Sequence, residues 1–86
     1  DTVDAAAAAE QGIPVIYTPG ANARSVAEHT LALMFAVRKK LPEGNDCVIH
    51  DNWNGRSGFM THEFLGARVG FIGFGNIGQQ IADMCM

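Results

Sequence analysis

The stretch Ala67-Arg68-Val69-Gly70-Phe71-Ile72-Gly73-Phe74-Gly75-Asn76-Ile77-Gly78 decides the fold of this 86-residue chain. Its first half, residues 67–72, is short and largely apolar, which predicts a buried strand of a parallel sheet. Its second half has the spacing G-x-G-x-x-G, and a helical pattern of apolar residues follows from residue 77. Such a run alone is a weak indication, but between a buried strand and a helix it predicts a dinucleotide-binding turn.

Each glycine of this turn has its own task. Gly73 permits the tight turn out of the strand, Gly75 lets a diphosphate approach the backbone, and Gly78 lets the helix pack close to the sheet. The amides near Asn76 and Ile77 would point at the phosphates, at the positive end of the helix dipole. The predicted cofactor-binding residues are therefore Gly73, Gly75, Asn76, Ile77 and Gly78. The alternative is a glycine-rich turn that binds nothing.

The chain also has the features of a fragment. It begins at Asp1 rather than at a methionine, and it breaks off at Met86 inside a predicted helix that has no stop signal. The acidic residue that would bind the adenosine ribose is expected about 20 positions after the turn, which is beyond Met86. These residues therefore do not decide between NAD and NADP.

Composition and charge limit the classes of partner and compartment that fit this chain. A net charge of −3 with six Lys and Arg residues argues against a nucleic-acid partner. No apolar run is long enough to cross a membrane. Cys47 and Cys85 are far apart and form no pattern, which favours a reducing, cytoplasmic setting. No metal site is predicted, because His62-Glu63 resembles a zinc motif that lacks its second histidine.

Weaker patterns predict elements in the first part of the chain. Asp4 is expected to cap a short alanine-rich helix, with Gly12 just past its end. Residues 13–17 are β-branched and aromatic, which predicts a strand, and residues 18–22 form a turn.

A long helix is expected next. Ser25 and Glu28 have the spacing of a capping box, and the helix they open should run to about Lys40. Its apolar surface covers about half of its circumference and includes Val26, Ala27, Thr30, Leu31, Leu33, Met34, Phe35, Val37 and Leu41. Such a helix is either buried within its own domain or packed against a second subunit, and the pattern alone favours neither.

The segment after the long helix gives weaker signals. Pro42-Glu43 could start a short helix, which Gly44-Asn45-Asp46 weakens. Residues 52–58 have the composition of a loop.

Three blocks of the sequence together resemble the D-2-hydroxyacid dehydrogenase family, especially its phosphoglycerate dehydrogenase-like members. The blocks are Val3-Asp4 with the alanine-rich helix, Gly12 to Val15 and Thr18-Pro19-Gly20; Asn22 to Leu33; and Glu63 to Gly66 leading into Val69 to Gly78. Trp53 also lies before the third block, where the family often has a tryptophan. The departures are Phe64, where leucine is usual, Ala67-Arg68, and Gly44-Asn45 in a region that is usually helical.

The resemblance implies an α/β fold in which two domains meet. Residues 1–24 resemble the end of a flavodoxin-like substrate-binding domain. Residues 25–86 resemble the start of a doubly wound, parallel-sheet (Rossmann) NAD-binding domain, namely its long crossover helix, a connecting segment and the first βα unit. Val26 would lie near the nicotinamide, and helix 25–41 would help to form a homodimer.

The implied activity is hydride transfer between NAD and a D-2-hydroxyacid or 2-oxoacid. In the family an Arg binds the substrate and a His supported by a Glu acts as acid and base, and these residues are expected beyond Met86. No catalytic residue is therefore predicted here, and His29, His50, His62 and Arg24 are interpreted as structural or solvated. The segment alone is expected to be inactive, and either poorly folded or self-associated.

Two other functions fit the same residues. A corepressor-like regulatory protein of the same architecture would use NAD binding to control assembly. An oligomerisation fragment without activity would use only the apolar long helix. Downstream sequence and NAD-dependent changes in mass would separate these hypotheses.

Overall fold

A computed structural model describes residues 2–86. The elements, in chain order, are α1 (Ala5–Glu10), α2 (Ala23–Arg38), α3 (Leu41–Ile49), a 3₁₀ helix (Trp53–Gly58) and α4 (Asn76–Cys85). The chain is extended, with a radius of gyration of 20.1 Å and principal extents of 64 × 32 × 18 Å. A compact domain of this length would have a radius of gyration of about 12 Å. The described residues therefore enclose only a small core.

The first helix forms as the sequence predicts. Asp4 is the N-cap of α1, and its Oδ1 accepts hydrogen bonds from the amides of Ala6 (3.1 Å) and Ala7 (3.0 Å). Gly12 follows the helix in the left-handed region, at φ +65°. The cap and the glycine therefore bound α1 at the predicted positions.

The predicted capping box at the start of α2 is wrong. The helix begins at Ala23 with Asn22 as N-cap, so that Ser25 lies inside its first turn. The carboxylate of Glu28 does not reach back to the Ser25 amide but accepts a hydrogen bond from Arg24 Nε at 2.7 Å. Because an (i, i+4) pair faces one side of a helix, Arg24 takes the carboxylate that the box would need.

The segment after α2 is more helical than the sequence indicates. Lys40 adopts the left-handed region at φ 53° and serves as N-cap of α3, which runs through Gly44 to Ile49. Residues 53–58, expected as loop, form the 3₁₀ helix. Pro42 lies in the first turn of α3, where its fixed φ suits a helix, and the helix continues through Gly44.

Both predicted strands are absent from residues 2–86. Residues 13–17 and 67–72 have no strand pairing, and Ile16 (91% exposed) and Ile72 (107%) lack the burial expected of a central strand. A strand needs a hydrogen-bonded neighbour, and neither run has one here. The sheet therefore depends on pairing partners that these residues do not supply.

The tertiary packing of the chain centres on α2 and α4. The buried apolar residues of the described part are Ala23 and Ala27 on α2 and Ile81 on α4. Ala27 is fully buried. The packing of α4 on α2 fixes the position of the glycine turn that precedes α4.

Part of the apolar surface of α2 stays uncovered within the described residues. Leu33 is 53% exposed and Val37 is 72% exposed, and Leu41 just after the helix is also exposed. Burial within residues 2–86 therefore does not account for the width of the apolar surface. The contact with a second subunit stays a prediction.

Candidate functional site

A cleft lies at the glycine turn. It has a volume of about 530 Å³ and opens between α2, the 69–73 segment and the start of α4. All five residues predicted from the glycine motif line it. The full lining is Thr30, Met34, Val69, Gly70, Phe71, Ile72, Gly73, Gly75, Asn76, Ile77, Gly78 and Ile81.

The backbone of the turn has the conformation that its glycines permit. Gly73 lies at φ +87°, in the region that side chains with a Cβ rarely adopt. Gly75 has ordinary dihedral angles (φ −85°, ψ −159°), and a Cβ added there would have no atom within 4 Å. The space over Gly75 is therefore open in this structure, and a side chain there would project into it.

Gly78 has a different role from Gly75. A Cβ added to Gly78 would lie 3.0 Å from the carbonyl oxygen of Gly73 and 3.5 Å from the ring of Phe74. The first turn of α4 therefore packs directly against the turn that leads into it.

The start of α4 presents free backbone donors to the cleft. Gly75 is its N-cap and provides no side-chain cap, while its carbonyl accepts from the Gln79 amide at 3.0 Å. The first amides of a helix have no acceptor within the helix, and the dipole adds partial positive charge there. The amides of Asn76 and Ile77 are therefore suited to an anion such as a diphosphate.

The electrostatics of the cleft depend on the backbone. Within residues 2–86 the lining contains no Lys, Arg, Asp or Glu. Asn76 is the polar side chain nearest to the helix start, and it can both donate and accept hydrogen bonds. Positive potential at the turn comes from the aligned peptide groups of α4 rather than from a cationic side chain.

Val26 is not among the residues that line this cleft. It is 36% exposed, and its carbonyl oxygen accepts a hydrogen bond from Thr30 Oγ1 at 2.8 Å. Thr30 and Met34 line the cleft on the same helix, and the sequence pattern does not predict them there. Thr30 and Met34 follow Val26 at intervals of four residues, so the sequence places the three on one face of α2. It does not show that this face would meet the glycine turn.

Several of the remaining polar residues form local pairs on the surface. The exposed Arg24 and Glu28 are paired as described above, and His50 Nδ1 lies 3.0 Å from Asp46 Oδ1. His29 and His62 are exposed. In the part of the chain that the structure describes, no three His, Cys, Asp or Glu residues lie together as metal ligands would.

A helix able to cross a membrane needs a long apolar run, and none of the helices in residues 2–86 has one.

Comparison with known proteins identifies the family. A family model described as "D-isomer specific 2-hydroxyacid dehydrogenase, catalytic domain" matches residues 1–81. The chain belongs to this family. Membership in the D-isomer specific 2-hydroxyacid dehydrogenases implies a Rossmann-like α/β fold, in agreement with the fold class that the resemblance implied.

Individual relatives agree with the family. The chain is 40% identical over 85 residues to a D-3-phosphoglycerate dehydrogenase of Archaeoglobus fulgidus, which covers 99% of this chain and 16% of that protein. It is 40% identical over 86 residues to a hydroxypyruvate reductase of Thermotoga maritima, which covers 100% of this chain and 28% of that protein. A D-3-phosphoglycerate dehydrogenase of Bacillus subtilis is 35% identical over 83 residues, covering 96% of this chain and 16% of that protein.

The chain therefore spans between a sixth and about a quarter of the length of these relatives. No solved structure matches it at a significant level.

Proposed function

We propose that the protein carrying this chain is an NAD-dependent oxidoreductase that transfers a hydride between the cofactor and a D-2-hydroxyacid or 2-oxoacid. The observation that supports this proposal best is the open glycine turn at the start of α4, in a chain that belongs to the D-isomer specific 2-hydroxyacid dehydrogenases. The names of the relatives point to hydroxyacids of three carbons, since they are a D-3-phosphoglycerate dehydrogenase and a hydroxypyruvate reductase.

In this proposal the turn 73–78 holds the diphosphate of the cofactor. The amides of Asn76 and Ile77 donate to phosphate oxygens, and the bare backbone of Gly75 permits their close approach. NAD supplies the hydride acceptor when it is bound. The residues present fit a dinucleotide, because a Cβ would fill the space that Gly75 leaves open.

The proposed division places residues 1–24 at the end of the substrate-binding domain and residues 25–86 at the start of the cofactor domain. We assign no residue of this chain a role in proton or hydride transfer. Val26, at the start of α2, would lie toward the nicotinamide end of the cofactor. The turn would thus bind and orient the cofactor while residues elsewhere in the protein carry out the reaction.

The proposed assembly is a homodimer formed through residues 25–41. The exposed side chains of Leu33 and Val37 support it, because a second subunit would remove this apolar surface from water.

The test uses the complete protein that carries this chain. D-3-phosphoglycerate is oxidised with NAD, or hydroxypyruvate is reduced with NADH, and the change in NADH absorbance is followed. We expect turnover with at least one of these substrates and preference for the D over the L isomer of the hydroxyacid. Saturable NADH binding without oxidation of any 2-hydroxyacid would favour a regulatory role instead, and absence of both would overturn the proposal.

A further inference from the structure

Arg38, at the C-terminal end of α2, makes contacts far along the chain. Its Nε and Nη2 both donate hydrogen bonds to the carbonyl oxygen of Glu63, at 3.0 and 2.6 Å. Its guanidinium carbon lies 5.1 Å from the centre of the Phe64 ring. A planar guanidinium can make both contacts at once, which a lysine ammonium cannot do in the same way.

Two further contacts join the same segments. The His62 amide donates to the carbonyl oxygen of Arg38 at 3.4 Å, and the rings of Phe35 and Phe64 are 4.6 Å apart at 58°. The end of α2 therefore contacts the 62–64 segment through both backbone and side chains. The Arg38 side chain donates both of the side-chain to backbone hydrogen bonds between the two segments.

The 62–64 segment leads directly into the wall of the cleft. The Ala67 amide donates to the carbonyl oxygen of Phe64 at 2.8 Å, and Gly66 lies at φ +73°. Because the turn is tight, the position of Phe64 constrains the position of residues 69–73, which line the cleft.

Helix α2 thus holds the cleft wall and the glycine turn from two sides. At one end Arg38 bonds the segment that enters residues 67–72, and α2 also packs against α4, on which Ile81 is buried. The residues between these two attachments have no strand pairing of their own within residues 2–86. Their position relative to α4 therefore depends on both attachments.

We infer that Arg38 is a positioning residue for the dinucleotide site: its bonds to Glu63 and its contact with Phe64 set the position of the glycine turn without touching the cofactor. This inference rests on the proposed function for its consequence, which is cofactor affinity. Its structural part, the ordering of residues 67–78, can be measured without any cofactor.

The chain contains a matched control. Arg56 also bonds a backbone carbonyl, that of Trp53 at 2.7 Å, and its guanidinium carbon lies 4.5 Å from the centre of the Trp53 ring. Both of these contacts are local to the 3₁₀ helix, and Arg56 does not line the cleft. Replacing Arg56 removes the same kinds of contact without disturbing the turn.

The experiment compares Arg38→Ala, Arg38→Lys and Arg56→Ala in the complete protein. Amide hydrogen exchange of residues 67–78 is measured without cofactor, and NADH affinity is measured by titration. We expect Arg38→Ala to speed exchange in this segment and to weaken NADH binding about tenfold, the effect of losing charge-assisted hydrogen bonds. Arg38→Lys should recover part of both losses, and Arg56→Ala should change neither.

Equal exchange in Arg38→Ala and Arg56→Ala, or faster exchange in Arg38→Ala with NADH affinity unchanged, would overturn the inference. A drop in thermal stability shared by both variants would not rescue it, since stability alone does not distinguish a positioning role. If the unsubstituted protein fails to bind NADH while exchange in residues 67–78 rises only in Arg38→Ala, the proposed function fails and the positioning of the turn by Arg38 is supported.

Discussion

Gly78 packs so closely on Gly73 that a Cβ added to Gly78 would lie 3.0 Å from the carbonyl oxygen of Gly73. The contact joins the first turn of α4 to the backbone that enters it. Since the oxygen belongs to the main chain, it cannot move aside as a flexible side chain would. The shape of the glycine turn is therefore set by contact between two backbone segments.

Replacement of Gly78 by alanine should destabilise the protein. The added methyl group must displace the Gly73 carbonyl or shift α4, and overpacking of this kind costs about 1–3 kcal/mol. Chemical denaturation measures the loss. Gly58→Ala is the control, because a Cβ there has nothing within 4 Å and the φ of Gly58 is not in the left-handed region. Equal stability of the two variants would show that the close contact is absent.

Replacement of Gly75 by alanine should separate binding from folding. The open space over Gly75 accommodates the methyl group, and loss of glycine at an N-cap costs less than about 1 kcal/mol. The same methyl group would occupy the space proposed for the diphosphate. We expect near-normal thermal stability with NADH affinity lowered at least about tenfold, a free-energy loss of about 1.4 kcal/mol. Unchanged NADH affinity would contradict the proposed position of the diphosphate.

The glycine turn is the part of the site that the sequence predicts best. Gly73 is required by its positive φ and Gly78 by its close contact with the Gly73 carbonyl, so these glycines indicate the turn without knowledge of the rest of the fold, whereas the backbone at Gly75 would accept a side chain. Asp4 and Gly12 bound α1 for the same reason, because a cap and a left-handed glycine act within a few residues.

The failures of prediction are those that depend on competing or distant partners. Glu28 could pair with Ser25 or with Arg24, and sequence spacing permits both. The strands at 13–17 and 67–72 depend on neighbours that the chain does not pair with them. Thr30 lines the cleft because of the way α4 packs on α2, which the pattern of either helix alone does not reveal.

Replacement of Ser25 by alanine tests the start of α2. Ser25 is a residue of the first helical turn rather than the N-cap, and alanine has the higher helix propensity. We therefore expect a change in unfolding free energy of less than about 0.5 kcal/mol. Replacement of a serine at the N-cap would instead lower the unfolding free energy by about 1 kcal/mol. A loss of that size would indicate that Ser25 is the N-cap of a capping box after all.

The stability of α3 should depend weakly on pH through Glu43. A hydrogen bond from its own backbone amide, and then the nearby Lys40, lower the pKa of the exposed Glu43 carboxyl group. Because the folded-state pKa is depressed, the stabilising effect is complete above the ordinary glutamate pKa of about 4.3. It is lost as the pH falls through the lowered value.

Glu43→Gln provides the comparison for this effect. Amide exchange in α3 should be slower in the unsubstituted protein than in Glu43→Gln at neutral pH, and the difference should vanish at low pH. A difference that persists in acid would exclude the carboxylate as its cause.

The position of the diphosphate is tested most directly by a crystal structure of the complete protein with NADH bound. We expect a phosphate oxygen about 3 Å from the amide nitrogen of Asn76 or Ile77, over the bare Cα of Gly75. A bound NADH whose diphosphate lies elsewhere, with the space over Gly75 filled by the protein's own side chains, would contradict the proposed site.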